Sequence, residues 1–126
     1  MQDAPTAQEL VDAVREFLES RASKVLSGRD AFLARVAANA LSIVEREIEL
    51  GPEAQAAERQ RLNKILGEDG ELMALNRELA RRIRNGELTL ESEGLRDHLW
   101  RTTLDKVAID QPMYSGYKSA LEYFEG

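Results

Sequence analysis

The side chains that could do chemistry in this chain are few, and some stand at awkward positions on predicted helices. Glu47 falls near the middle of an apolar helical arc, and Asn39 falls at the edge of the same arc. Burying an ionised carboxylate without a partner is costly in free energy or shifts its pKa. Glu47 is therefore expected either to reach solvent at the end of its helix or to find a charged partner.

Lys106 and Asp110 offer that partner, because they stand four residues apart on another predicted helix and can pair along it. If the two helices pack together, Glu47, Lys106 and Asp110 would form one charged network. Three interpretations stay open. The side chains could emerge into solvent at the helix ends, form a structural ion pair, or build a ligand-binding or catalytic cluster with Glu47 and Lys106 as acid and base.

Two further polar residues sit on predicted helices. His98 is the only histidine, and because it lies on the polar side of its helix we expect it to be exposed. No carboxylate or second histidine stands at metal-ligand spacing from it, so we predict no metal, no cofactor and no catalytic residue. Asn76 lies on an apolar face, where its amide needs partners. We expect it to tie its helix to a neighbouring backbone carbonyl or helix end, with a polar contact in a ligand pocket as the alternative.

Composition narrows the function classes. The chain has 126 residues, no cysteine and a formal net charge of -6, so disulfides and thiolate chemistry are excluded and binding to nucleic acid is disfavoured. No apolar run approaches the roughly 20 residues that span a membrane. The first ten residues are acidic and lack the apolar stretch of a secretory signal, so we expect a cytoplasmic protein without membrane contact.

The elements that must position these residues are all predicted to be helices. Apolar spacing predicts one domain over residues 1–126, a bundle of about five helices around a central apolar helix from Phe32 to Leu50. That helix is apolar around more than half its circumference, so we expect neighbours to cover it on several sides. Gly51-Pro52 is expected to end it, because proline suits the first turn of a new helix.

The remaining boundaries follow from caps and breakers. Thr6 and Glu9 form a predicted capping box for a helix that runs to about Ser20. After the central helix, further helices are predicted up to Gly67, over Leu72 to Ile83 and over Leu95 to Asp110. Leu88 and Leu90 are expected to tuck inward from the loop. The aromatic tail, residues 113–126, either docks as a short helix, lies extended over the bundle or anchors a partner; its aromatic residues are Tyr114, Tyr117, Tyr123 and Phe124.

Several segments resemble a bacterial family of short helical proteins of unknown function. The matching segments are MQDAPTAQELVDAVREFLE, ARVAANALSIVEREIELGP, ERQRLNKILGEDGELMALNRELARRIRNGEL and LWRTTLDKVAIDQPMYSGY. Members of that family are encoded near aminoglycoside-phosphotransferase-like kinases and acyl-CoA dehydrogenases. The resemblance implies a partner protein in fatty-acid or hydroxy-acid catabolism, and it assigns no catalytic residue. This chain departs from the family pattern at Gln111, where an asparagine usually precedes the proline.

Two functions are consistent with these observations. The first is a non-enzymatic accessory protein that binds a phosphotransferase-like kinase or an acyl-CoA dehydrogenase. The sequence leaves open whether this protein is a homodimer. The second is a small-molecule binding module with a polar pocket between the helix from Phe32 to Leu50, the helix from Leu72 and the helix from Leu95. The candidate binding residues are Arg35, Asn39, Glu47, Asn76, Lys106, Asp110 and Tyr114.

Overall fold

The computed structural model describes the backbone of residues 4–125 and the side chains of residues 4–123. Within that range the chain forms five main helices and no strand, so the predicted all-α bundle is confirmed. The helices are α1 (Ala7–Phe17), α2 (Gly28–Leu66), α3 (Leu72–Arg84), α4 (Leu95–Asp110) and α5 (Ser115–Glu125). No described helix combines the length and the apolar character needed to cross a membrane.

The chain divides into two compact units, Met1–Leu50 and Gly51–Gly126. The boundary between them along the sequence falls within α2. The prediction of a single domain stays a prediction. Each unit has its own internal contacts and is described separately below.

The first unit is a helical hairpin. The capping box of Thr6 and Glu9 begins α1 as predicted, and a π-helical segment, Leu18–Ala22, and a short turn, Ser23–Val25, follow it. The link to α2 is so short that the two helices run antiparallel. Arg15 of α1 donates from Nε to Glu45 of α2 at 2.9 Å, and this ion pair holds the helices side by side.

The predicted break at Gly51-Pro52 is wrong, because α2 runs through Pro52 without interruption. Proline in a helix lacks the N–H that would bond the carbonyl four residues earlier, so that turn loses one hydrogen bond. The residues that follow, from Glu53 to Arg61, are mostly alanine, glutamate, glutamine and arginine, which are strong helix formers. Their propensity sustains the helix on the far side of the proline.

The expectation that neighbours cover the Phe32–Leu50 segment on several sides is also wrong. The buried hydrophobic residues of this stretch are the small Ala34 and Ala38, and the buried Ala31 directly precedes it. Phe32 is 53% exposed and Val36 is 48% exposed. Among the described residues, full burial of the apolar arc is thus limited to alanines on the edge that faces α1.

The second unit has a conventional hydrophobic core. Its buried members come from α2, α3 and the start of α4: Leu62, Leu66, Leu75, Leu79 and Leu95. Leu88 packs against this core as predicted, whereas Leu90 is 56% exposed and the expectation that it tucks inward is wrong. Helix α4 has the predicted bounds, and Pro112 follows its last residue closely.

The tail forms a last helix, α5, which contacts α4. Tyr114 and Tyr123 are exposed, and Tyr117 is partly buried. Phe124 was expected to help cover the bundle, but its side chain lies outside the described residues.

Candidate functional site

The most buried polar group in the second unit is a cluster of three side chains from α2 and α4, here the Arg61 cluster. Arg61 donates from Nε to His98 Nδ1 at 3.0 Å and from a terminal nitrogen to the Thr102 hydroxyl at 3.1 Å. Leu95, His98 and Thr102 recur at helical spacing, so one stripe of α4 faces α2. The guanidinium is thereby fixed at the surface between the two helices.

His98 is 1% exposed, so the prediction that it is solvated is wrong. Burial lowers the pKa of His98 most, and the neighbouring Arg61 cation lowers it further, against the opposing influence of Glu58 and Asp97. The neutral imidazole accepts at Nδ1 from Arg61, which assigns its proton to Nε2. His98 therefore acts as an acceptor that orients a cation.

A second set of polar contacts joins α3 to α2. Asn76 donates from its amide to the Glu58 carboxylate at 3.0 Å, so its partner is a side chain of α2 rather than the expected backbone carbonyl or helix end. Arg82 donates to the carbonyl of Leu66, the last residue of α2, at 3.1 Å. A cation at this position satisfies a free carbonyl and complements the helix dipole. These bonds fix the antiparallel α2–α3 hairpin that the short Gly67–Gly70 turn predicts.

An open cleft of about 630 Å³ lies beside the Arg61 cluster. Arg61 and Lys64 supply positive charge, and Glu93 and Asp97 supply negative charge; the other lining residues are Ile65, Leu88, Ser92 and Gly94. Gly94 begins α4 with φ of 84°, a left-handed conformation that favours glycine. The cleft could hold a small polar molecule with groups of both signs.

A second depression in the same unit is mainly apolar. This groove of about 360 Å³, here the Trp100 groove, is lined by Leu90, Arg96, Leu99, Trp100 and Thr103. Trp100, the only tryptophan in the chain, is 45% exposed. Arg96 takes part in no ion pair among the residues that the structure describes. A tryptophan beside an arginine is the composition of an interface hot spot.

The structure distributes the predicted site residues over both units. Asn76 is half-buried and bonded to Glu58, and the other six side chains are exposed: Arg35, Asn39, Glu47, Lys106, Asp110 and Tyr114. No ion pair among the described residues includes Glu47, Lys106 or Asp110, so the expected pairing of Lys106 with Asp110 along α4 is not formed. The pocket between three helices stays a prediction.

Sequence reasoning missed the Arg61 cluster. Apolar residues lie on several sides of α4. Because the prediction assigned Leu99 to the buried face, it assigned His98 to the exposed face. The spacing of Leu95, His98 and Thr102 was the signal for the alternative face. On α2, Glu58, Arg61 and Ile65 follow the same spacing, and matching the two stripes could have found the cluster.

The chain is a small all-α protein with a leucine core in its second unit and no group of three or more His, Asp or Glu among the described residues that could hold a metal ion. It belongs to the family described as a domain of unknown function, DUF6285, whose model matches residues 24–114. This agrees with the resemblance to an uncharacterised helical family. No curated protein and no solved structure matches the chain.

Proposed function

We propose that this is a cytoplasmic, non-enzymatic accessory protein that works by binding another protein. The observation that carries the proposal is the Trp100 groove, where Leu99 and Trp100 are exposed beside an arginine without an ion-pair partner among the described residues. Buried tryptophan and arginine side chains dominate binding free energy at many interfaces. The groove is therefore a site for a partner segment rather than for a reactive substrate.

The chemistry of the groove defines the occupant. Apolar walls and one exposed guanidinium suit an apolar helix of the partner that carries a carboxylate at its flank. The resemblance supports a phosphotransferase-like kinase as the first partner to test and an acyl-CoA dehydrogenase as the second. Their gene association in the family is the reason for that choice.

The experiment is a calorimetric titration of the full chain with the kinase encoded beside its gene. Trp100→Ala should weaken binding about 30-fold or more, as expected for a hot-spot tryptophan. Arg96→Glu should also weaken it, because the flanking carboxylate would then be repelled.

Met73→Ala is the matched control, since Met73 is 67% exposed in the same unit but does not line the groove. Binding of Met73→Ala should equal that of the unchanged chain. If neither the kinase nor the dehydrogenase binds, or if Trp100→Ala binds as tightly as Met73→Ala, the groove is not the partner site.

A second candidate function is favoured by the open cleft. Arg61 and Lys64 could receive the carboxylate of a small hydroxy acid, with Ser92 within the same lining. His98 is bonded to Arg61, so its NMR resonances report on ligands that engage the guanidinium. The absence of any His98 shift at saturating 3-hydroxybutyrate would count against this function.

A further inference from the structure

The first unit exposes a large apolar surface, here the hairpin surface. It consists of seven large hydrophobic side chains, each 42–58% exposed: Leu10, Val14 and Phe17 on α1, and Phe32, Leu33, Val36 and Val44 on α2. Together they expose on the order of 600 Å² of apolar area, above the few hundred Å² that single soluble chains usually show in one patch. The patch requires an occupant.

The exposed positions of α2 cover the face that points away from α1 and one side of the hairpin. On α2, Ala34, Ala38 and Glu45 form the stripe that faces α1, since Glu45 bonds Arg15. At about 100° per residue, Leu33 and Val44 lie roughly 110–130° from that stripe. Leu10, Val14 and Phe17 lie roughly 70–130° from the α1 stripe that contains Arg15, in the same rotational sense. For antiparallel helices the same sense means the same side. These three residues therefore share one side of the hairpin with Leu33 and Val44, whereas Val36 and Phe32 lie on the face of α2 that points away from α1.

This hairpin has little core of its own. Its buried hydrophobic residues are three alanines of α2, Ala31, Ala34 and Ala38. Helix α1 has 11 residues, and a contact made mainly through alanines buries little area to offset the conformational entropy of the two helices. A second copy of α2 placed on the exposed face of α2 would supply further apolar contacts.

The occupant that fits is a second copy of this chain. We infer that the protein forms a homodimer in which α2 packs antiparallel against α2 of its partner through the α2 residues of the hairpin surface. Phe32, Leu33, Val36 and Val44 of two copies would bury on the order of 700 Å² of apolar area, an amount typical of a weak, concentration-dependent dimer.

The sequence of α2 is complementary to itself in one register. Arg29, Val36, Ala40 and Glu47 form a single stripe along the exposed side. With the two-fold axis at the level of Ala38, Arg29 of one copy faces Glu47 of the other, and Val36 faces Ala40.

This register also accounts for the charged residue in the apolar arc. Glu47 and Arg29 are exposed, and neither belongs to an ion pair within the part of the chain that the structure describes. A two-fold interface repeats every contact twice, so one Arg29–Glu47 pairing supplies two ion pairs, one at each end. Both ends of the α2 pair are thereby fixed.

Light scattering during gel filtration tests the inference on the full chain, whose single-copy mass is 14.2 kDa. The expected result is a dimer. Glu47→Arg and Arg29→Glu should each raise the dimer dissociation constant about tenfold, because like charges then face each other. The double variant should restore dimerisation. Glu49→Arg, an exposed residue with the same charge change on the opposite side of α2, is the control and should leave the dimer intact.

Cross-linking tests the register independently. The chain has no cysteine, so Val36→Cys/Ala40→Cys should form disulfide-linked dimers on mild oxidation. Arg35→Cys/Asn39→Cys, with the same spacing on another side of α2, should not. A folded chain that stays monomeric at millimolar concentration overturns the inference. So does a dimer that tolerates Glu47→Arg and Arg29→Glu and resists cross-linking. Trp100→Ala should not affect the dimer, which separates this inference from the proposed partner site.

Discussion

Individual side chains in this protein are fixed by charge as much as by apolar contact. Arg61 bridges an imidazole and a hydroxyl, and Arg82 caps α2 while pairing with Glu78. The bond from Arg81 lowers the pKa of Glu78 most, to about 2, and it outweighs the opposing effect of desolvation with a smaller contribution from Arg82. Arginine suits these positions because its planar group donates several bonds at once.

His98 provides the residue-scale prediction. Replacing it with leucine leaves the partly buried Arg61 without one of its two acceptors, so the free energy of unfolding should fall by about 1–2 kcal/mol. His98→Asn keeps an acceptor and should lose less. Urea denaturation at pH 7.5 measures both. Equal loss in the two variants would show that the acceptor role is unimportant.

The same residue predicts a pH dependence. In the folded chain the pKa of His98 lies below its ordinary value of 6.5, so only the unfolded chain takes up a proton just below that pH. The contribution of the neutral His98 to the free energy of unfolding should therefore be fully present above pH 6.5. It should fall as the pH drops from 6.5 toward the pKa of His98 in the folded chain. Both His98 variants should lack this slope, and a variant that retained it would assign the titration to another group.

At the scale of the elements, the sequence predicted the capping box of α1 and the end of α4 before Pro112. The capping box at Thr6 and the bounds of α4 are local features, decided within one turn of helix. The continuation through Pro52 depends on propensity summed over a longer stretch, and the buried face of α4 depends on which neighbour it meets. Neither is a local property, so local signals could not decide them.

Pro52 provides the element-scale prediction. Pro52→Ala restores an N–H within α2 and should raise the free energy of unfolding by about 2 kcal/mol, allowing for the greater freedom of the unfolded variant. Gln55→Ala, a nearby exposed change, should stay within about 0.5 kcal/mol. Chemical denaturation of the full chain measures both. A loss of stability in Pro52→Ala would mean that the helix needs the proline.

At the scale of the whole molecule, the two units differ in how they are stabilised. The second contains five buried leucines, and the first buries three alanines among its described residues. Composition predicted enough apolar residues for one core, but not their unequal burial. An apolar residue on a helix is equally suited to an internal core and to an interface, so sequence pattern alone could not separate the two.

That difference predicts how the pieces behave. A fragment of residues 51–126 should unfold cooperatively at any concentration, because it retains its leucine core. A fragment of residues 1–50 should be helical only at concentrations where it associates, since its apolar side chains lack an internal layer. Circular dichroism over a hundredfold dilution distinguishes them. A concentration-independent, folded short fragment would contradict the expectation.

The π-helical segment Leu18–Ala22 has one last consequence. A π-turn accommodates one residue more than an α-turn. The residues after it are therefore rotated about the helix axis by roughly a right angle, relative to their positions in an unbroken α-helix. In an unbroken α-helix Val25 would point toward α2, in line with Leu18, yet it is 81% exposed. The added residue thus works as a phase shift that turns Val25 away from α2. Removing Ser20 should convert the segment to a regular α-turn and leave Val25 exposed, because Val25 would then stand six residues after Leu18, about 120° away from it around the helix.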